Sequence, residues 1–219
     1  MDNEPKRRQH RSEAGRQFID GLRRSLAEDD PWLAGWLQGM DGLDLVVAAT
    51  SFAAERHAGQ RRKDAAGTPY INHPIAVLDL LRQVGDVSDA NILAAGLLHD
   101  TVEDTATTAE ELEERFGPKI ASLVMEVTDD KSLPKQARKR LQVVKAPRLS
   151  TGARQVKLAD KIANLSDLLD APPADWDNER MQAYARWSKE VVEGCRAASV
   201  PLARRFDAVY ERAEEVLGM

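Results

Sequence analysis

The sequence predicts an all-α protein, and three observations carry that reading. Apolar residues recur at three- and four-residue spacing over most of the chain from Leu43 onward. Residues that start and stop helices fall at the ends of these periodic stretches. No alternating apolar and polar run, and no two-residue hairpin turn, appears between them. Internal repeats and a glycine-rich phosphate loop are also missing from the sequence.

The elements follow in order. Residues 1–13 are polar and charged, as expected of a disordered start. Phe18, Leu22 and Leu26 recur at four-residue spacing and predict a short amphipathic helix, which Asp29-Asp30-Pro31 should end. Trp32, Leu33, Trp36 and Leu37 form a second apolar cluster. Residues 1–42 therefore read as a partly disordered arm with a short helix. Tryptophan serves buried packing and protein interfaces alike, so the arm either covers its own domain or makes a homo-oligomer contact. Residues 43–219 read as one domain. Leu43 to Ala58 is helical, and residues 59–72, with Gly59, Gly67 and Pro69, form a loop. Pro74 suits the first turn of a helix running towards Val84. Ser88 or Asp89 can cap a helix that reaches His99. Thr108-Ala109-Glu110-Glu111 is a capping box, and Gly117-Pro118 ends the helix it opens. Further helices fit 118–127, 135–145, 152–170, 177–195 and 202–217.

Composition narrows the function. A chain of 219 residues makes one domain, or one domain plus an arm, with ample material for a core. The formal charge of −5 argues against non-specific nucleic-acid binding. Basic residues cluster locally, at Arg61-Arg62-Lys63 and from Lys131 to Lys145, which suits a compact polyanion better than a duplex. The single cysteine, Cys195, permits no intramolecular disulfide and fits a reducing, cytoplasmic setting. No apolar run approaches membrane-spanning length, and the polar N-terminus does not read as a signal peptide.

Chemistry concentrates in Leu97-Leu98-His99-Asp100-Thr101-Val102-Glu103-Asp104. If one helix continues through them, positions 99, 100, 103 and 104 share an arc of about 140° at 100° per residue. Three carboxylates so close repel one another unless a cation or a proton-transfer task offsets the repulsion, and a divalent metal is the simplest such cation. The dipeptide His-Asp alone is weak, because the chain holds four His and many Asp. Its weight comes from two further segments, Gly67-Thr68-Pro69-Tyr70-Ile71-Asn72-His73-Pro74 and Val156-Lys157-Leu158-Ala159-Asp160-Lys161-Ile162-Ala163-Asn164-Leu165. His73, His99, Asp100 and Asp160 supply two imidazoles and two carboxylates, a mixed nitrogen and oxygen set suited to Mn²⁺, Fe²⁺ or Zn²⁺. His57, at a predicted helix end, competes with His73 for the upstream position. Read alone, Asp160 falls off the stripe of Leu158, Ile162, Leu165 and Leu169 and would be solvated. Phosphate needs cations: Arg62 and Lys63 lie in the loop before His73, and Lys135 follows another loop. Asn164 sits one turn after Asp160 on the same face. Lys139, Arg140 and Lys145 read as solvated surface charges.

These segments, with Gln60-Arg61-Arg62-Lys63-Asp64, Val127-Thr128-Asp129-Asp130-Lys131 and Lys157-Leu158-Ala159-Asp160-Lys161, resemble one family. It is that of the small, single-domain alarmone hydrolases, related to the hydrolase half of RelA/SpoT-type enzymes and nearest to their metazoan homologue. The resemblance spans about Leu43 to Cys195. It implies an HD-domain helical bundle and Mn²⁺ held by His73, His99, Asp100 and Asp160, with His73 rather than His57 as the upstream ligand. Glu103 and Asp104 would handle the attacking water and the proton to the leaving group. Arg180 and Tyr184, four residues apart on one helix, would help to hold the nucleotide. The implied activity is removal of the 3′-pyrophosphate of guanosine 3′,5′-bis(diphosphate) or its pentaphosphate, and degradation only, since 219 residues leave no room for a synthetase domain. Removal of the ribose phosphate of NADPH is an alternative of the same class. A non-catalytic nucleotide sensor on the same scaffold is a different one, and the Glu103-Asp104 pair argues against it.

Overall fold

A computed structural model describes the backbone of residues 31–219 and the side chains of 42–219. The expected disorder of residues 1–13, the helix of Phe18, Leu22 and Leu26, and the role of the Trp32 and Trp36 cluster lie outside the described side chains. The chain divides into two units, Met1–Asp44 and Leu45–Met219. Helix α1 spans Pro31–Arg56 and crosses that division, so helix begins well before Leu43. Pro31 is the first residue of this helix, and the expected stop at Asp29-Asp30-Pro31 falls largely outside the described residues. A proline lacks an N–H that the first turn would leave unpaired in any case.

The second unit is a bundle. After a loop come α2 (Asn72–Asp79), continued by a π-helical turn over Leu80–Val84, and α3 (Ala90–Leu98). Asp89 is the residue that caps α3, accepting the Asn91 N–H at 2.9 Å. The helix stops at Leu98. His99 and Asp100 form a turn, and Thr101–Asp104 makes a separate single-turn helix, α4. The expected continuous helix through His99 and Asp104 is therefore corrected to two helices with the His-Asp pair at their junction.

Helices α5 (Ala109–Phe116), α6 (Pro118–Val127) and α7 (Lys135–Lys145) follow. A 3₁₀ turn, Ala146–Arg148, leads to α8 (Thr151–Asp170), then α9 (Asn178–Cys195) and α10 (Val200–Leu217). The side chains of Thr108, Ser150, Asp177 and Ser199 cap α5, α8, α9 and α10, each accepting a backbone N–H of the first turn. Two isolated bridges, Arg61 to Pro69 and Asp64 to Pro173, are the extended pairing seen among the described residues.

Helix α8 is the axis of the bundle. It packs against α2, α3, α6, α9 and α10, which buries Val156 through Ala163 without interruption. Asp160 accordingly lies 7% exposed and not on a solvated face. The stripe argument assumed a helix with one face in water, and α8 has none along this stretch.

Candidate metal and nucleotide site

The site begins in the loop between α1 and α2. Asp64 accepts the Thr68 N–H at 2.9 Å, Arg62 N–H bonds the Thr68 carbonyl at 2.8 Å and Tyr70 N–H the Gln60 carbonyl at 3.0 Å. Gly67 turns this loop at φ +61°, a conformation that side chains with a Cβ rarely adopt. The loop delivers Tyr70 and then His73 on the first turn of α2. The α3–α4 junction brings His99 and Asp100, and mid-α8 brings Asp160.

Three elements so converge on one point. His73 Nε2 lies 3.3 Å from Asp160 Oδ1 and 3.6 Å from Asp100 Oδ2. His99 Nε2 lies 3.0 Å from Asp100 Oδ2 and 3.7 Å from Asp160 Oδ1. Ligand atoms of His73, His99 and Asp160 all fall within 4.8 Å of one another. His57, though buried, is spent elsewhere: its Nδ1 meets Gln60 Oε1 at 2.7 Å and its ring packs 4.8 Å from that of Tyr70.

The donor set suits a cation. His99 Nδ1 donates to the Gly96 carbonyl at 2.8 Å, so in the neutral ring Nε2 is a lone pair facing two carboxylates. An imidazole tied to a backbone carbonyl in this way is typical of metal ligands. Without a metal, a proton is the alternative. Burial disfavours the imidazolium, but Asp100 and then Asp160 outweigh it and raise the His99 pKa well above 6.5. Asp160 is held in place by both oxygens, Oδ2 accepting Lys161 Nζ at 3.0 Å and Oδ1 accepting Asn164 Nδ2 at 2.6 Å. Burial would push its carboxyl up, yet the Lys161 charge and the facing imidazoles bring it well below 3.8.

The second carboxylate pair sits on α4, beside the cluster. Glu103 Oε2 accepts the Asp129 N–H at 3.2 Å, and burial pushes its carboxyl up from 4.5 against that bond. Asp104 pairs with Lys131, and Gln60 Nε2 donates to its carbonyl at 2.8 Å. Tyr70 joins the two motifs: its hydroxyl donates to Asp100 Oδ2 at 2.6 Å and stands 3.3 Å from Asp104 Oδ2.

A cavity of about 580 Å³ opens beside the cluster. Of the expected nucleotide residues, Arg62, Lys63, Asn164 and Tyr184 line it, and so do His73 and Asp104. Arg62 is anchored across the cavity, donating to Asn164 Oδ1 at 3.1 Å and pairing with Asp167. Arg180 is exposed and stacks on the Trp176 ring, 4.4 Å from its centroid, and Trp176 lines the cavity. Lys135 is exposed on the first turn of α7 and outside the cavity lining. Lys139, expected to be a solvated charge, instead lies half-buried, with Nζ 4.5 Å from the centroid of the Trp187 ring and 5.6 Å from that of Tyr184.

Sequence reasoning overlooked Tyr70, Lys161, Asp167 and Trp176. Tyr70 stands three residues before His73, and Asp167 three after Asn164, so helical spacing offered a hint for both. Lys161 and Trp176 offered none, because their roles arise from packing alone.

Comparison with known proteins places this geometry in context. The HD domain family matches residues 49–191. The chain is 50% identical over 166 residues to the guanosine-3′,5′-bis(diphosphate) 3′-pyrophosphohydrolase MESH1 of Xenopus tropicalis, covering 76% of this chain and 93% of that one. It is 48% identical over 174 residues to the Homo sapiens protein of the same name, covering 80% and 97%. A solved structure of a metazoan ortholog of SpoT that hydrolyzes ppGpp is similar at a TM-score of 0.75 and 43% identity, covering 77% of this chain and 94% of that one.

Proposed function

Because this chain belongs to the HD-domain family, among the guanosine-3′,5′-bis(diphosphate) 3′-pyrophosphohydrolases, we propose that it removes the 3′-pyrophosphate of guanosine 3′,5′-bis(diphosphate). The observation that carries the reading is the meeting of His73, His99, Asp100 and Asp160, which Tyr70 links to Asp104, beside a cavity lined by His73, Asp104, Arg62 and Lys63.

His73, His99, Asp100 and Asp160 would hold one divalent cation, Mn²⁺ in our reading, with Fe²⁺ and Zn²⁺ as the other metals such ligands accept. When bound, the cation would supply Lewis acidity at the phosphoryl group and make the attacking water more acidic. The chain's own residues do the rest. Arg62 and Lys63 hold the phosphates and balance the charge that grows on them in the transition state. Asn164 meets the ribose or its phosphate, and Tyr184 and Trp176 give the purine aromatic surfaces to pack against. Glu103 and Asp104 orient the water and carry its proton towards the ribose oxygen. A bond forms between the water oxygen and the inner phosphorus of the 3′ group. The bond from that phosphorus to the ribose oxygen breaks. The products are GDP and intact pyrophosphate, with the water oxygen in the pyrophosphate and a proton on the 3′ hydroxyl.

Anion-exchange analysis of a reaction run with Mn²⁺ in ¹⁸O-water tests this. GDP and ¹⁸O-labelled pyrophosphate are expected in equal amounts, with no turnover of GDP itself. Orthophosphate as the main product, or ready hydrolysis of GDP, overturns the reading in favour of a general nucleotide phosphatase. Faster turnover of NADPH than of guanosine 3′,5′-bis(diphosphate) under the same conditions would move the preferred substrate to the ribose 2′ phosphate.

A further inference from the structure

The Glu103 carboxylate does not stand alone. Its Oε2 accepts the Asp129 N–H at 3.2 Å, while Arg138 Nη1 on α7 approaches its Oε1 at 3.6 Å. The second distance marks a charge contact and not a hydrogen bond. It is shielded from water, since the two side chains are 24% and 20% exposed, and a charge pair so placed is screened less than a surface one. One turn after Arg138, Gln142 Nε2 donates to Asp129 Oδ2 at 2.8 Å. The same face of α7 thus grips Glu103 directly through Arg138. Through Gln142 it also grips the loop whose N–H holds the other oxygen of Glu103. Helix α7 is itself tied down where Trp187 Nε1 donates to the Lys139 carbonyl at 3.1 Å.

We propose that Arg138 is a positioning residue for the hydrolysis, fixing the Glu103 carboxylate so that one rotamer faces the reacting water, with Gln142 as its support through Asp129. This rests on the role given to Glu103 above. Arg138 faces Glu103 from α7 and, among the described residues, is not part of the cavity lining that holds Arg62 and Lys63, so its role runs through Glu103. A carboxylate held by one N–H and one facing charge, from two elements, loses little freedom on reaching the transition state. One freed from the facing charge samples unproductive rotamers. A misplacement of about 1 Å can cost on the order of 100-fold in rate.

The test compares Arg138→Gln and Arg138→Lys in the metal-loaded full chain, with guanosine 3′,5′-bis(diphosphate) as substrate. Arg138→Gln should lower kcat about 10- to 100-fold. KM, and the affinity for Mn²⁺ measured without substrate, should stay within about twofold, because neither site touches Arg138. Arg138→Lys should recover most of kcat. In a Glu103→Gln background, Arg138→Gln should cost nothing further, as expected of two residues acting as one unit. A rise in KM at constant kcat, equal losses in both backgrounds, or no loss at all overturns the inference. If Glu103→Gln itself retains full kcat, the role of Glu103 falls and Arg138 with it. If only Arg138→Gln is silent, the role of Glu103 stands and the inference alone fails. Should Arg138→Gln not fold by circular dichroism, Gln142→Leu decides. A lower kcat at unchanged KM supports the clamp, and unchanged kcat overturns it.

Discussion

Tyr70 is the residue on which the geometry of the site turns. Its hydroxyl donates to Asp100 Oδ2, the same oxygen that lies 3.0 Å from His99 Nε2. Burial first, and then the Asp100 charge, drive its phenol far above the ordinary 10, so it remains a proton donor at all working pH. Tyr70 therefore orients Asp100, a proposed ligand, without adding an anion of its own. Partners of this kind are commonly worth 10- to 100-fold in metal affinity or activity. Tyr70→Phe keeps the ring against His57 and removes the bond alone. It should weaken Mn²⁺ binding about 10- to 100-fold by calorimetry, while the circular-dichroism spectrum stays unchanged. Metal affinity within twofold of the parent would mean that Asp100 needs no such support. Asp160 shows the same division of labour, with Lys161 and Asn164 each fixing one oxygen.

At the scale of elements, α8 and α7 do different work. Helix α8 is buried along the stretch that carries Asp160, and its capping serine and apolar spacing make it a stable post for a ligand. Helix α7 has no buried residue and depends on its neighbours for placement. One such neighbour is α9, which passes so close to the Ala146–Arg148 turn that a Cβ at Gly194 would stand 2.7 Å from Ala146 Cβ and 2.8 Å from Pro147 Cδ. Neither atom can swing aside, since both belong to rigid residues. Gly194→Ala should gain about 1 kcal/mol of helix propensity. It should lose more through overlap, for a net destabilisation of about 1–3 kcal/mol. The urea midpoint would fall accordingly, and a raised midpoint would show that the turn yields. The helices and the caps at Asp89 and Thr108 were legible in the sequence because these side chains act on N–H groups two or three residues away. The break after Leu98 was not, because nothing in Leu97-Leu98-His99-Asp100 disfavours helix locally.

For the whole molecule, a metal at the proposed site would act as a staple. The proposed ligands come from the start of α2, the α3–α4 junction and the middle of α8, so a cation bound there would join segments far apart in the chain. A ligand that binds only the native state adds about 2.7 kcal/mol at 100 times its Kd. For a protein of this size that corresponds to a rise in Tm of roughly 5–10 °C. Saturating Mn²⁺ should produce such a shift in the parent and none in His99→Ala. An equal shift in both would place the cation elsewhere. Cys195 offers a second readout. It is fully buried, and burial pushes its thiol up to about 11, so a thiol reagent at pH 8 should label it only through unfolding. Mn²⁺ should slow that labelling in the parent alone.

What the sequence by itself determined is local. Helical periodicity, caps, the loop of Gly67 and Pro69, and the adjacency of His99 with Asp100 and of Glu103 with Asp104 all depend on residues within a turn or two of one another. They were sufficient to read the helical class, and together with the family resemblance they marked the residues that now meet at the cluster. What only the tertiary structure decided is long-range. Tyr70 reaches Asp100 across 30 positions, Lys131 reaches Asp104 across 27, and Arg62 pairs with Asp167 across 105. The burial of Asp160, the capture of Lys139 by Trp187 and Tyr184, and the distance of Lys135 from the cavity belong to the same group. The physical reason is that a helix's own sequence sets which residues share a face. Which faces are closed off from water, and which charges are brought within reach, depends on how the other helices pack around it.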